Sequence, residues 1–358
     1  MLNGIKKKRG GGTAKMDKVV TINDIAKAAG VGKGTVDRVL HNRGRVSEET
    51  KEKVQKCIKE MGYKPNKAAR MLAKTRRYRI AVVYHNKEEE FWKQIECGID
   101  KAEEEYKQLG VTIKRFVLSQ INVEEQEKLI LQIIEEKYDG LAIVPYYSEK
   151  TVEAINKAVS SGITVVTFNN DEKCNRLCYV GQDLLQSGKT AGKLMSMIAK
   201  PHSRYIVVLP VIESMTALYG RYEGFKEIIE KRRPDMKLLG IYNFKQDGSQ
   251  AYRRIRNLIE TDEIDAVYAS NVIVEDVARA VFDSGKSDSI LIVGHDLTKP
   301  IQKYIETGVI DASIGQEPEK QGYEAINRLC KKLIMDEDIS QDVYTKIEIA
   351  LAENLAYI

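Results

Sequence analysis

Between Thr21 and Met61, apolar residues recur every three or four positions, which is the spacing of amphipathic helices. Three short helices are predicted there. Their apolar faces are Ile22, Ile25, Ala26 and Ala29 in the first, Val36, Val39 and Leu40 in the second, and Val54, Cys57, Ile58 and Met61 in the third. Two short helices joined by a glycine-containing turn predict a helix-turn-helix.

Residues that commonly cap helices stand at the ends of the predicted helices. Thr21 can cap the first helix, and Asp24 can bond back to the N–H of that cap. Gly30 ends the helix, because the residue just past a helix often needs a positive φ. Ser47 caps the third helix, and Gly62 stops it.

From Arg79 onward the pattern changes to continuous apolar runs separated by amphipathic stretches, such as 92–109 and 123–137. Such runs indicate buried strands of parallel sheets covered by helices. They are 80–84, 113–118, 141–144, 164–168, 205–209, 238–242, 266–269, 290–293 and 312–314. This number exceeds one comfortable open sheet, so we expect an α/β fold of two lobes. Ligands of such folds bind beyond the carboxyl ends of the strands.

The second short helix exposes basic and small polar residues on the face opposite its apolar positions: Lys33, Gly34, Thr35 and Arg38. A recognition helix presents side chains to the DNA major groove in this way, and arginine can pair bidentately with a guanine edge. An ordinary helical hairpin with a solvated basic face has the same pattern.

Charge separates these two interpretations. The net charge of the chain is +5, but residues 1–78 contain 21 Lys and Arg against 7 Asp and Glu, a net charge of +14. The rest of the chain carries −9. A basic N-terminal region on an acidic body is typical of a DNA-binding protein whose body has another task.

Residues 21–40, the third helix and the segment 62–73 together closely resemble the headpiece of the lactose-repressor (LacI/GalR) family of bacterial transcription regulators. The resemblance implies that Lys33, Gly34 and Arg38 read bases. It also implies that 66–73 is a hinge helix that folds on DNA, with Leu72 inserted into the minor groove. The DNA-binding residues predicted in this way are Thr21, Lys33, Gly34, Thr35, Arg38, Asn42, Asn66, Ala69 and Leu72, of which Thr35 and Asn42 face the backbone.

Two positions of the headpiece depart from the family pattern. Asp37 stands where the family usually has a serine near the phosphates, so its carboxylate must point elsewhere, pair with a cation or contact a base. Gly34 lacks a side chain that many relatives use for base recognition. The operator sequence therefore does not follow from the resemblance.

Polar and aromatic residues follow several of the predicted strands, and such groups suit a hydroxyl-rich ligand. For any one of them the alternative is an ordinary polar loop residue at a strand end, and it is their joint placement that favours a binding site. The body also resembles the periplasmic sugar-binding-protein fold of the ribose type, and residues 179–192 match the segment where the chain first crosses between lobes. The resemblance implies an effector site formed by Phe91, Trp92, Asn169, Asn170, Arg221, Asn271, Asp296 and Gln316. It departs at Asn169-Asn170, where the ribose type has an Asp-Arg pair, so the ligand does not follow from it.

The predicted organisation is a basic tail (1–18), an all-α helix-turn-helix headpiece (19–63), a hinge helix and linker (64–78) and a two-lobed periplasmic-binding-protein-like domain with parallel sheets (79–358). Met16 is an alternative start. No apolar run approaches the ~18–20 residues of a membrane span, and the N-terminal residues lack the apolar core of a signal peptide. Five scattered cysteines, Cys57, Cys97, Cys174, Cys178 and Cys330, indicate neither a disulfide framework nor a metal site, which fits the cytoplasm.

The sequence therefore predicts a DNA-binding transcriptional regulator, a repressor, with a sugar-like effector between the lobes. The expected partners are double-stranded operator DNA, the effector and a second copy in a homodimer, with no cofactor, no metal and no membrane. One alternative is an α/β enzyme acting on a sugar or sugar phosphate, with His295 beside Asp296 as a candidate base. However, no phosphate-binding glycine loop follows the first strand. The other alternative is a constitutive architectural DNA binder, which leaves the lobed body without a role.

Overall fold

The computed structural model describes residues 20–40, 44, 46–61, 76–85, 90–119, 122–210, 217–244 and 250–358. The chain divides into two compact units, Met1–Lys74 and Thr75–Ile358.

The described part of the first unit contains three helices, α1 (Ile22–Ala29), α2 (Lys33–Leu40) and α3 (Glu48–Glu60). Thr21 and Asp24 form the predicted capping box: the N–H and the hydroxyl of Thr21 donate to Asp24 Oδ2 at 2.9 and 2.6 Å. Gly30 ends α1 with φ 65°, as predicted. The small core between the helices is formed by Ile25, Ala26, Ala29, Val36, Val39 and Val54.

The second unit has two lobes, each with a six-stranded sheet. The strands of lobe 1 are β1 (Tyr78–His85), β2 (Val111–Leu118), β3 (Gly140–Ile143), β4 (Thr164–Phe168), β5 (Cys178–Gly181) and β11 (Val343–Tyr344). Its helices are α4 (Glu90–Lys107), α5 (Val123–Glu135), α6 (Glu149–Ser160) and α12 (Pro318–Met335).

Lobe 2 repeats this plan. Its strands are β6 (Arg204–Pro210), β7 (Lys237–Phe244), β8 (Ala266–Ala269), β9 (Leu291–His295), β10 (Ala312–Gly315) and β12 (Glu348–Ala350). Its helices are α7 (Leu184–Ile198), α8 (Ala217–Arg232), α9 (Gln250–Thr261), α10 (Val274–Asp283) and α11 (Lys299–Glu306). A short 3-10 helix, Leu355–Tyr357, follows β12.

The strand orders are β11-β5-β4-β3-β1-β2 in lobe 1 and β12-β10-β9-β8-β6-β7 in lobe 2. Every pairing is parallel except that of β10 with β12. Five consecutive residues of β1, Ile80–Tyr84, are fully buried, as in a sheet covered on both faces. The predicted fold class is confirmed. Among the described residues, no helix has the length and apolar character needed to span a bilayer.

The chain passes between the lobes three times. The first crossover (182–183) follows β5, the second (316–317) follows β10, and the third (345–347) lies between β11 and β12. Helix α7 begins at the end of the first crossover and α12 at the end of the second. Lobe 1 is therefore completed by segments that come after almost all of lobe 2.

The two helices that begin at crossovers pack unusually closely on their neighbours. A Cβ at Gly188 of α7 would lie 1.9 Å from the carbonyl oxygen of Arg221 on α8. A Cβ at Gly98 of α4 would lie 1.9 Å from the carbonyl oxygen of Glu319 on α12. Because these neighbours are backbone atoms, only glycine fits at either crossing. Each crossover helix thus lies directly against the helix that carries predicted effector-binding residues of its lobe.

Candidate functional site

Helix α2 presents the predicted base-reading residues to solvent. Lys33, Gly34 and Arg38 are exposed and Thr35 is partly buried, while the apolar positions of α2 face the core. A Cβ built at Gly34 meets no atom within 4 Å, so packing does not require glycine there. Asp37 is also exposed on this helix. The remaining predicted DNA contacts lie outside the described residues: Asn42, Asn66, Ala69 and Leu72.

Thr21, also predicted to contact DNA, is exposed, but its hydroxyl is engaged with Asp24 in the capping box. The described part of the predicted DNA-binding surface is therefore the exposed face of α2. It combines cations that suit phosphates and guanine edges with an open position at Gly34.

In the second unit, a cavity of about 210 Å³ lies between the lobes at the carboxyl ends of the strands. It brings together three of the predicted effector-binding residues, Phe91 from lobe 1, Asp296 from lobe 2 and Gln316 from the second crossover. Gln94 and Gln302 add further amide groups to its wall. An aromatic face, a carboxylate and planar amides are the groups that bind a polyhydroxylated molecule.

Asp296 is held in a specific orientation at the end of β9. Its backbone is left-handed, with φ 75°, and its side chain is 3% exposed. Gln316 Nε2 donates to Asp296 Oδ1 at 2.5 Å. Burial raises the pKa of the Asp296 carboxyl above its usual value, while the charge of Arg221 and the hydrogen bond from Gln316 oppose that effect.

A chain of side-chain amides leads from lobe 1 to Asp296. Asn169 Nδ2 donates to Gln321 Oε1 at 3.1 Å. Gln321 Nε2 in turn lies 2.8 Å from the carbonyl oxygen of Gln316 and 3.3 Å from its Oε1. Asn169, like Asp296, has a left-handed backbone, with φ 62°. Three predicted residues, one from each lobe and one from the crossover, thus belong to one hydrogen-bonded network.

Arg221 lies on α8 and is 1% exposed. Its Nη1 donates to the carbonyl oxygen of Ser270 at 2.6 Å, and its Nη2 donates to Gln182 Oε1 at 3.1 Å. Its Nε has no hydrogen-bond partner among the described residues. Arg221 is not among the residues that line the cavity, but a buried guanidinium with N–H groups still free to donate is suited to bind a ligand oxygen that reaches it.

The other predicted effector residues are placed as follows. Asn170 is buried, its Nδ2 donates to the carbonyl oxygen of Pro145 at 2.5 Å, and its Oδ1 has no partner among the described residues. Asn271 Oδ1 accepts from the N–H of Ile273 at 3.1 Å, which orders the start of α10. Trp92 is buried and packs on the rings of Tyr84 and His85, with centroids 5.9 and 4.7 Å away. Of the two aromatic residues, only Phe91 lines the cavity.

His295, considered as a base in the enzyme alternative, is fully buried. Its Nε2 lies 3.0 Å from the hydroxyl of Tyr268 and its Nδ1 lies 3.4 Å from the hydroxyl of Ser187. Burial and the charge of Arg221 lower its pKa well below the usual value. Its ring is therefore neutral, and both ring nitrogens lie against hydroxyl groups in the interior of lobe 2. No group of three His, Cys, Asp or Glu within the described part of the chain is arranged to hold a metal ion.

Sequence reasoning missed two buried glutamines that support the site, Gln182 and Gln321. Gln182 stands in the predicted crossing segment, and Gln321 stands in the first turn of α12. A lone glutamine carries no spacing signal. Only the convergence of the crossovers identifies these two as parts of the site.

The model of the lacI family of bacterial regulatory proteins matches residues 21–66, and that of the periplasmic binding protein domain matches residues 80–336. The ribose operon repressor of Halalkalibacterium halodurans is 28% identical over 292 residues, which cover 78% of this chain and 80% of that protein.

Two solved structures share the fold of the second unit. GanP, a glucose-galactose binding protein from Geobacillus stearothermophilus, has a TM-score of 0.70 at 22% identity, covering 78% of this chain and 99% of its own. A solute binding protein from Bacillus halodurans with bound myo-inositol has a TM-score of 0.71 at 21% identity, covering 79% and 98%. At such identities the likeness shows the fold alone. With the matches to both units, the predicted resemblance is confirmed: the chain belongs to the periplasmic binding protein domain family over 80–336, carries a lacI-family DNA-binding domain at 21–66, and is a DNA-binding transcriptional regulator.

Proposed function

We propose that this regulator is a cytoplasmic repressor that binds a palindromic operator as a homodimer, and that an uncharged polyol bound between its lobes controls operator affinity. The observation that carries the effector part is the cavity shared by Phe91, Asp296 and Gln316. The ring offers a face to the apolar side of a sugar, and the carboxylate and amide offer acceptors and donors to its hydroxyl groups.

The charges at the site favour an uncharged ligand. Three carboxylates, those of Asp296, Glu317 and Glu348, are among the described residues that line the cavity, and no lysine or arginine is among them. Asn169 and Asn170 are neutral where the ribose type has an Asp-Arg pair. A phosphate or a carboxylate on the ligand needs additional cationic partners to offset its desolvation.

On the DNA side, we propose that Lys33, Gly34 and Arg38 form the base-reading face, with Thr21, Thr35 and Asn42 on the backbone. The hinge positions Asn66, Ala69 and Leu72 complete the contacts. Two headpieces of a dimer then read two half-sites. An effector with different affinities for the two operator-binding states shifts the DNA equilibrium, and DNA shifts effector affinity by the same factor.

No catalytic role is assigned to the cleft. His295 is fully buried, and its two ring nitrogens lie against the hydroxyls of Tyr268 and Ser187, so neither is available to react with a ligand. The arrangement therefore favours recognition over chemistry.

The test is a thermal-shift screen of the full chain against D-ribose, D-galactose and myo-inositol, together with their phosphates and the matching sugar acids. We expect an uncharged polyol to raise the unfolding temperature and to change operator affinity in a gel-shift titration. If only a phosphate or an acid did so, the effector class would be wrong. A chain that binds operator equally with every compound would be a constitutive DNA binder.

A further inference from the structure

Gln182 contacts all three segments that connect the lobes. It lies in the first crossover and is 1% exposed. Its Nε2 donates to the carbonyl oxygen of Gly315, the last residue of β10 directly before the second crossover, and to that of Lys346 in the third crossover, both at 2.9 Å. A glutamine amide has two N–H donors, and both are used here to join separate crossovers.

The same side chain also holds Arg221. Its Oε1 accepts from Arg221 Nη2 at 3.1 Å, so every polar atom of the amide is engaged. The backbone of Arg221 is fixed independently, because α7 begins next to Gln182 and crosses α8 at Gly188 in direct backbone contact. The position of the guanidinium is therefore set by the first crossover in two ways.

A tyrosine extends this arrangement to lobe 1. The hydroxyl of Tyr179, the second residue of β5, lies 3.1 Å from the carbonyl oxygen of Gln182 and 3.1 Å from that of Asn169. Both atoms are within hydrogen-bond distance of one donor. The residue that joins the crossovers is thus linked to a proposed effector residue in each lobe, Asn169 and Arg221.

We infer that Gln182 is a positioning residue: it orients Arg221 toward the effector site and transmits a change at that guanidinium to the three crossovers together. This rests on the proposed function for the part that concerns the effector. A rotation of the lobes that bends the crossovers differently displaces the carbonyl oxygens of Gly315 and Lys346 relative to Gln182. A change in the hydrogen bond between Arg221 and Gln182 therefore biases the arrangement of the lobes.

Two variants separate the roles of the amide. Gln182→Met keeps the length of the side chain and removes every hydrogen bond. Gln182→Glu keeps an acceptor for Arg221 but directs carboxylate oxygens at two backbone carbonyls. The matched control is Gln126→Met. Gln126 is equally buried, donates to the carbonyl oxygen of Val144 at 3.0 Å and accepts from the N–H of Tyr146 at 2.9 Å, inside lobe 1.

The first measurement needs no effector: amide hydrogen exchange of the full-length variants by mass spectrometry. Gln182→Met and Gln182→Glu should both speed exchange by about fivefold or more in peptides covering all three crossovers. Gln126→Met should speed exchange near 144–146 and leave the crossovers unchanged. Faster exchange confined to the first crossover in Gln182→Met would overturn the inference.

The second measurement is the ratio of operator affinities with and without D-ribose, D-galactose or myo-inositol, together with the affinity for the sugar itself. Gln182→Met should weaken sugar binding and bring the ratio toward one. Gln182→Glu should bind the sugar with an affinity closer to that of the parent, but its ratio of operator affinities should still lie closer to one than the parent's. Gln126→Met should keep the ratio.

A parent-like ratio in Gln182→Met contradicts the coupling role. If the parent protein binds none of these sugars, the proposed effector class fails, and the exchange data alone decide whether Gln182 joins the crossovers.

Discussion

Asn169 and Asp296 occupy equivalent places in the two lobes. Each follows the third strand from one edge of its sheet, β4 or β9, and each has a left-handed backbone, with φ 62° and 75°. Asparagine and aspartate tolerate this conformation better than other residues with a side chain, because their short polar groups can bond locally. The two side chains are joined through Gln321 and Gln316. A substitution at either position must therefore tolerate a positive φ as well as change the chemistry of the side chain.

For that reason the informative change at the cleft is Asp296→Asn, which suits the left-handed backbone and removes the charge. We expect operator binding without effector to persist and the effector response to be lost. Hydrogen bonds from ligand hydroxyls to a carboxylate are stronger than those to an amide, and the loss should be about 1–3 kcal/mol in effector affinity. Calorimetry and operator titration measure the two quantities.

The matched control for that variant is Asp311→Asn. Its carboxylate accepts from the N–H of Ile292 at 2.8 Å, at the opposite end of β9 from the cleft. It should leave effector affinity unchanged. An Asp296→Asn protein that responded at the parent effector concentration would place the effector site elsewhere.

Arg38→Ala and Leu72→Ala should fail in different ways. Loss of a base contact from α2 costs about 1–3 kcal/mol and relaxes specificity at one operator position. Loss of a minor-groove wedge at Leu72 should reduce DNA bending while half-site preferences persist. Selection from randomised duplexes and a circular-permutation bending assay distinguish the two. Lys59→Ala, exposed on α3, is the control and should change neither. Identical profiles for both variants would contradict this division of roles.

Gly34→Ala should separate headpiece stability from operator choice. Because a Cβ at Gly34 meets no atom within 4 Å, alanine fits without strain. It should stabilise α2 by up to about 1 kcal/mol, since glycine loses more backbone entropy on folding. Slower amide exchange in α2, together with an altered operator preference, is the expected result. An unchanged preference would show that this position does not face the bases.

Gly188→Ala tests the close crossing of α7 and α8. A Cβ there would overlap the carbonyl oxygen of Arg221, so the helices must separate. We expect a loss of about 1–3 kcal/mol in stability and a larger loss of effector affinity, because Arg221 moves. Gly220→Ala is the control on the neighbouring helix, where the nearest atoms to a Cβ lie at 3.8 Å or more. Thermal unfolding should show that Gly220→Ala is nearly as stable as the parent. If Gly188→Ala and Gly220→Ala were equally stable, the close packing of α7 on α8 at Gly188 would be wrong.

His85 should make stability depend on pH. Burial lowers its pKa from 6.5 to about 4, so the folded protein keeps the ring neutral while the unfolded chain takes up a proton. Its contribution is fully present above about pH 6.5 and is lost as the pH falls toward about 4, because the unfolded state then binds more protons. In urea titrations, His85→Gln should flatten this dependence, and His202→Gln, at an exposed position, should not. If the free energy of unfolding of His85→Gln depended on pH as strongly as that of the parent, the dependence would come from other groups such as His295.

Long apolar runs made most of the fold predictable. β4 and β8 have the predicted bounds, and the other predicted strands differ by one or two residues at one or both ends, as terminal residues commonly do. β5, β11 and β12 were not predicted. β11 and β12 have only two and three residues, too few to show a period, and they pair with β5 and β10, which are remote in sequence. β5 has four residues, and one of its pairing partners, β11, lies near the C-terminal end of the second unit.

The candidate site was predictable where a polar residue directly follows a buried strand, as Asp296 and Gln316 do. Their shared cavity agrees with that rule, although their roles stay predictions. The packing of Trp92 on Tyr84 and His85 could not be foreseen, because it depends on where α4 meets β1. Gln182 and Gln321 were missed because their role depends on three chain segments that meet only in the folded molecule.

The route of the chain between the lobes bears on how the protein is made. Helix α12 covers β3, β4 and β5 and packs on α4, yet it is translated after β6 to β10. A nascent chain that has emerged through β5 still lacks the helix that covers β3, β4 and β5 and that packs on α4 at Gly98. Lobe 1 therefore cannot complete its fold until the ribosome has synthesised β6 to β10 of lobe 2 and then α12. Chaperone binding during synthesis is then expected to concentrate on lobe 1, and a premature stop before Pro318 leaves lobe 1 incomplete and lobe 2 without β12.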